Sequence, residues 1–217
     1  MAKHSLTEPM QILFIGNSFT ARNNLPDLIA QLAKSRGKQL QYQLIWAGGA
    51  SLRMHWNKAA AQKAIEQTRY DYVVLQEQST LPIKNPLRMH ENIRLFDQVI
   101  KASRAKTALY LTWARQDVPE TQQAITNAYT AIGEELNATI IPVGIAWQDF
   151  IRKHHSPALH DKDKNHPTLA GSYLAASVFF AVLFNESSIG LINNIKGLTE
   201  AEAELLQKTA WAAVAPI

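Results

Sequence analysis

Residues 11–46 read QILFIGNSFTARNNLPDLIAQLAKSRGKQLQYQLIW, and they decide the fold. Four apolar residues, Ile12 to Ile15, run straight into Gly16, Asn17 and Ser18. A short apolar run that ends in turn residues has the pattern of a buried strand. From Leu25 the spacing changes. Asn24 serves as a cap, Pro26 lies in the first turn, Leu28, Ile29 and Leu32 repeat at helical spacing, and Gly37 is a stop, so a helix is expected over 25–36. Residues 41–46 then return to the β-branched and aromatic composition of a strand.

Working outward, further strands are expected over 72–75, 108–112 and 139–141. Helical patterns fall at 59–67, 89–104, 120–136, 169–183 and 200–213. This alternation is the signature of an α/β chain with a parallel sheet and helices on both faces. The chain has 217 residues, 47% of them hydrophobic, which is enough for a full core and suits one domain over 1–217. There is no internal repeat or low-complexity tract. The most irregular segment is 153–167, crowded with His, Asp and Lys, and a polar loop of that length is often functional.

The formal charge is +4, from 22 Lys and Arg against 18 Asp and Glu, with no basic run of five or more. Phosphate tracking needs a clustered basic face, so nucleic acid is not an expected partner. With no cysteine in the chain, disulfides and thiolate chemistry are excluded. The opening MAKHSLTEPM has no apolar signal core, and no stretch reaches the ~18 apolar residues of a membrane span. The expected location is the cytoplasm.

In a parallel α/β sheet, ligands bind beyond the carboxyl ends of the strands, where Gly16, Asn17 and Ser18 fall. A phosphate loop would require more glycines and a Lys-Ser/Thr pair leading into the helix, whereas here the first lysine is Lys34. A nucleophile would require a base and a carboxylate to orient it. Residues 161–173, DKDKNHPTLAGSY, supply both, with Asp163 and His166 three apart on one turn. Each residue also has an ordinary reading: Ser18 as a turn cap, Asp163 as a solvated loop charge, and His166 as a surface histidine before a helix. Their joint occurrence favours chemistry.

GNS after the first strand, together with Asp-x-x-His-Pro near the C-terminus, resembles the SGNH branch of the GDSL-type esterases and lipases over about residues 11–185. The resemblance implies a three-layer α/β/α sandwich whose five-stranded parallel sheet is flavodoxin-like, in order 2-1-3-4-5. It also implies a catalytic triad of Ser18, Asp163 and His166. In WAGGAS, Gly49 fits the family's oxyanion glycine and Gly48 is the second choice. The third block departs from the pattern: QEQS stands where Gly-x-Asn-Asp is usual, which puts Gln78 in the place of the oxyanion asparagine, with Gln76 as the other amide.

The activity implied is hydrolysis of small acyl esters, such as acetyl esters of carbohydrates, through an acyl-enzyme, with no cofactor and no metal. Two other readings stay open at this point. One is a binding module of the same fold without turnover. The other is a metal-dependent hydrolase built on His154, His155, His160 and Asp161, whose spacing suits zinc. Trp46, Trp56, Trp113 and Trp147 are candidates for a pocket lining or for the core.

Overall fold

A computed structural model describes residues 8–193 and 195–214. Residues 1–7 of the opening segment, read above for an export signal, lie outside the described residues. The chain begins with β1 (Met10–Gly16), α1 (Ser18–Ala21), α2 (Leu25–Ser35) and β2 (Leu40–Trp46), then α3 (Leu52–Lys58), α4 (Ala60–Gln67) and β3 (Tyr72–Leu75). It continues with α5 (Leu81–Lys84), α6 (Pro86–Ala102), β4 (Lys106–Tyr110), α7 (Gln122–Leu136) and β5 (Thr139–Ile141). The last helices are α8 (Val143–Lys153), α9 (Leu169–Phe184) and α10 (Glu200–Ala212).

The sheet order is β2-β1-β3-β4-β5 and every pairing is parallel. The reason lies in the apolar run of β1, where Ile12 to Ile15 are all fully buried. Because successive side chains point to opposite faces, such a strand must be covered on both sides. Ile12 and Phe14 join Val74, Ala108 and Tyr110 in a core shared with α2, α8, α9 and α10. Leu13 and Ile15 join Val73, Leu75 and Leu109 in a second core under α4, α6 and α7. Each fully buried side chain of this size contributes about 1.5–3 kcal/mol relative to exposure. The result is the three-layer α/β/α sandwich and the strand order that the family resemblance implies.

The differences from expectation are local. β4 runs over Lys106–Tyr110, two residues earlier than expected, because the chain leaves the sheet after Tyr110 to form the loop that carries Trp113. Helix α8 was not anticipated. It starts after Pro142 without a side-chain cap and has Gly144 in its first turn, so its start has the signals of a turn. The short α3 buries only Leu52 and His55, too little to show a period. Among the described residues, no helix is long and apolar enough to cross a membrane.

Candidate active site

Strand β1 delivers the serine. At its end, Asn17 takes an extended conformation and its Oδ1 accepts from the Phe19 N–H at 3.1 Å, which caps α1 and sets Ser18 at the first position of that turn. The turn fits tightly against the sheet. A Cβ at Gly16 would lie 2.6 Å from Thr20 Oγ1 and 2.7 Å from Gln76 Oε1, so only glycine fits there.

His166 and Asp163 come from the loop between α8 and α9. The Ser18 Oγ lies 2.8 Å from His166 Nε2, and His166 Nδ1 lies 2.5 Å from Asp163 Oδ2. A carboxylate only accepts, so Nδ1 carries the imidazole proton and Nε2 is left to accept from the serine hydroxyl. The other Asp163 oxygen accepts the backbone N–H groups of Asn165 (3.0 Å) and His166 (2.9 Å). The His166 side-chain hydrogen bond, and then these backbone donors, hold the Asp163 carboxyl well below the usual carboxylate range. The turn is closed by Lys164 at φ 62°.

Several contacts clip this loop to the serine turn. Arg22 pairs with Asp161 at 2.7 Å. Asn23 Nδ2 donates to the Pro167 carbonyl (3.2 Å) and to Ser172 Oγ (2.9 Å). Trp113 Nε1 donates to the Asn165 carbonyl at 3.0 Å. The Trp113 ring stacks on Phe19 at 4.7 Å and on Trp147 at 3.9 Å, and Phe19 meets His166 edge-on at 5.6 Å. An aromatic stack therefore supports the imidazole from below, and both Trp113 and Trp147 are buried in the core. Trp56 packs edge-on against Phe96. Trp46, paired in register with Gly16 at the end of β2, is half exposed.

Gly48 and Gly49 follow β2. Gly49 has φ +64°, a conformation that favours glycine. The next residue, Ala50, accepts Asn17 Nδ2 on its carbonyl at 3.1 Å, which joins this turn to the serine turn. A second tie comes from His55, whose Nε2–H donates to the Gly16 carbonyl at 2.7 Å. Burial lowers its pKa and keeps the ring neutral.

The QEQS block divides its work. Gln76 is fully buried. Its Oε1 accepts the Asn17 N–H (2.9 Å) and the Thr20 hydroxyl (3.1 Å), and its Nε2 donates to the Glu77 carbonyl. Its amide supports the serine turn from beneath, with both its oxygen and its nitrogen engaged in internal hydrogen bonds. The Gln78 Oε1 accepts from Thr80 N–H, Thr80 Oγ1 and Leu81 N–H at 2.9–3.1 Å, capping the turn that opens α5. Among the described residues no acceptor takes the N–H of Ser18 or Gly49, or the Nε2 hydrogens of Gln78.

A mainly apolar cavity of about 420 Å³ opens between the β3 and β4 loops, lined by Thr80, Ile83, Trp113, Val118 and Ile125. Trp113 is common to the cavity and to the aromatic stack. A depression of about 550 Å³ lies at the other end of the sheet, around Gly37 and Lys38.

The histidine-rich segment is put to other uses. His160 is buried, accepting Trp147 Nε1 on Nδ1 (3.4 Å) and donating from Nε2 to the Ala114 carbonyl (3.0 Å). His154 packs on Phe150, and Asp161 pairs with Arg22. Among the described residues, no group of three or more His, Asp or Glu is placed to hold a metal ion. The contacts that Asn17, Asn23 and His55 make around the serine turn were not anticipated from the sequence, nor was the hydrogen bond from Trp113, there a candidate for pocket lining or core, to the His166 loop. Only Asn17, in GNS, carried a local signal, that of a helix cap.

No family model and no curated protein matches the sequence. Solved structures do. A Slackia heliotrinireducens protein assigned to the SGNH hydrolases superposes with a TM-score of 0.72 at 26% identity, covering 81% of this chain and 99% of that one. A DUF4886 family protein from Bacteroides uniformis superposes with a TM-score of 0.77 at 18% identity, covering 95% of each chain. A Geobacillus acetyl-xylooligosaccharide esterase superposes with a TM-score of 0.65 at 18% identity, covering 80% of this chain and 94% of that one.

Proposed function

The chain is an SGNH/GDSL-type hydrolase in fold, and on that premise we propose that it is a serine esterase acting on small acyl esters. The observation that carries the proposal is the continuous hydrogen-bonded line Ser18–His166–Asp163 at the carboxyl end of the sheet. Ser18 Oγ attacks the ester carbonyl as its proton passes to His166 Nε2, and Asp163 stabilises the imidazolium through Nδ1–H. Collapse of the tetrahedral intermediate breaks the ester C–O bond. The Nε2 proton goes to the leaving alcohol oxygen, and Ser18 is left acylated. Water then attacks the acyl-enzyme, giving its proton to Nε2, and collapse returns the acid and the free hydroxyl.

The developing oxyanion is held by the Ser18 and Gly49 N–H groups and by Gln78 Nε2, three donors without internal acceptors. The apolar cavity beside Trp113 takes one flank of the ester. Acetyl esters of carbohydrates are the first substrates to test, because the Geobacillus enzyme of similar fold is named for one.

Gln78 separates two roles in one side chain. Glu in its place keeps an acceptor for Thr80 and Leu81 but has no N–H to offer. Gln78→Glu is therefore expected to lower kcat about 10²- to 10³-fold with little change in KM. Melting should stay close to wild type. Steady-state kinetics on one acyl ester check this, and a wild-type kcat would remove Gln78 from the oxyanion site.

A further inference from the structure

We infer that Glu77, the buried carboxylate of the QEQS block, is a positioning residue that fixes the two oxyanion-bearing loops to one another. The inference rests on the esterase reading above. Glu77 is fully buried, and its Oε1 accepts two backbone donors from different loops, Leu52 N–H at 2.9 Å and Gln78 N–H at 2.7 Å. Leu52 follows Gly49 by three residues, and Gln78 carries the proposed side-chain donor. One oxygen atom thus spans the turn after β2 and the loop after β3. Among the described residues it is the hydrogen-bonded link between those two segments.

The second oxygen is also committed. Oε2 accepts Asn92 Nδ2 at 2.9 Å, and Asn92 Oδ1 in turn accepts Arg53 Nε at 2.9 Å. The carboxylate is therefore met by three N–H donors, and the guanidinium acts on it through an amide. Burial pushes the Glu77 carboxyl above the usual range, and the donors from Asn92, Gln78 and Leu52 pull it back. Burying a carboxylate is costly unless each oxygen is satisfied, so this residue type at this place calls for an explanation. The explanation offered by the geometry is that a carboxylate accepts on both oxygens, whereas an amide of the same shape accepts on one and would set its NH2 against that of Asn92.

Gln76 completes the arrangement. Its Oε1 holds Asn17 N–H, and Asn17 Nδ2 reaches Ala50, so the serine turn is tied to the same two loops. The departure from the family's third block thus places polar anchors beneath the site in Gln76 and Glu77, and leaves Gln78 above them.

The test is a swap. Glu77→Gln is expected to lower kcat on para-nitrophenyl acetate about 10- to 10²-fold with KM within about threefold, because misplaced oxyanion donors are felt mainly in the transition state. Combining it with Asn92→Asp reverses donor and acceptor across the pair. The new glutamine donates to the new aspartate, which still accepts Arg53, and the double variant should recover at least about tenfold of the loss. A general loss of stability would not be repaired in this way. A single variant that keeps kcat within about threefold, or a folded double variant no better than the single, overturns the role.

Should the single variant fail to fold, the double variant carries the kinetic test, with kcat expected within about tenfold of wild type. Amide hydrogen exchange on the wild type is independent of turnover. The Leu52 N–H sits at the first position of a helix and the Gln78 N–H in a loop, places that are ordinarily unprotected, so slow exchange at both is expected and free exchange at either overturns the proposal. A wild type that neither turns over esters nor labels at Ser18 removes the esterase reading and the role with it. An active wild type indifferent to Glu77 removes the role alone.

Discussion

Ser18→Ala is expected to lower kcat on short acyl esters by about 10⁶-fold, the scale seen when the nucleophile of a serine-histidine-carboxylate unit is removed. The variant should fold normally. The Ser18 side chain is half-buried and its hydroxyl bonds to His166, whereas the cap of the turn is Asn17 and the packing beneath is Gly16, Phe19 and Gln76. The oxyanion donors remain, so a residual rate about 10³- to 10⁴-fold above the uncatalysed one is expected. Paired measurement of kcat and thermal melting on both proteins separates lost chemistry from lost structure. A variant that keeps more than a few per cent of the wild-type rate would move the nucleophile elsewhere.

Asp163→Asn should follow, with kcat lowered about 10⁴-fold. The carboxylate accepts Nδ1–H at 2.5 Å and so selects the tautomer whose Nε2 is free to take the serine proton. An amide can instead donate to Nδ1, which moves the ring proton to Nε2 and leaves Ser18 without a base. The amide oxygen can still accept the Asn165 and His166 backbone N–H groups, so the turn should persist. Because Asp163 titrates well below the usual carboxylate range in the folded protein, any stability it lends is present above the unfolded carboxylate pKa and is lost as pH falls through the folded value. Its half-exposed position keeps that contribution small. The acid limb of the pH–rate profile is then not the titration of Asp163. Asp161 is occupied by Arg22 and does not take over, so a loss under about tenfold would contradict this assignment.

Much of the architecture was legible because it is encoded locally. The apolar run at 12–15 dictates a strand buried on both faces, and Pro26 and Gly37 frame the helix expected over 25–36, whereas Asn24, expected as its cap, stands at the N-cap position with φ 52° and makes no side-chain cap hydrogen bond. The three residues of the hydrogen-bonded line were legible for a different reason. Ser18 ends a strand, and Asp163 and His166 share one turn, so a short motif at each end of the chain sufficed to point to a contact across 148 positions. What holds them in place was not legible. His55 donates to Gly16 from a helix with no periodic apolar face, and Trp113 reaches Asn165 across 52 positions. Such contacts depend on tertiary placement, which no local pattern records. The same applies to QEQS, where three adjacent polar side chains serve three different loops.

The most direct test of the account is to treat the wild-type protein with a fluorophosphonate and map the product by intact mass and peptide sequencing. An activated serine is phosphonylated, with loss of fluoride and transfer of the hydroxyl proton to His166. The expected result is one adduct per chain, on Ser18, abolished in Ser18→Ala and strongly slowed in Asp163→Asn. No adduct on a folded protein, or an adduct mapped to any other residue, would contradict it.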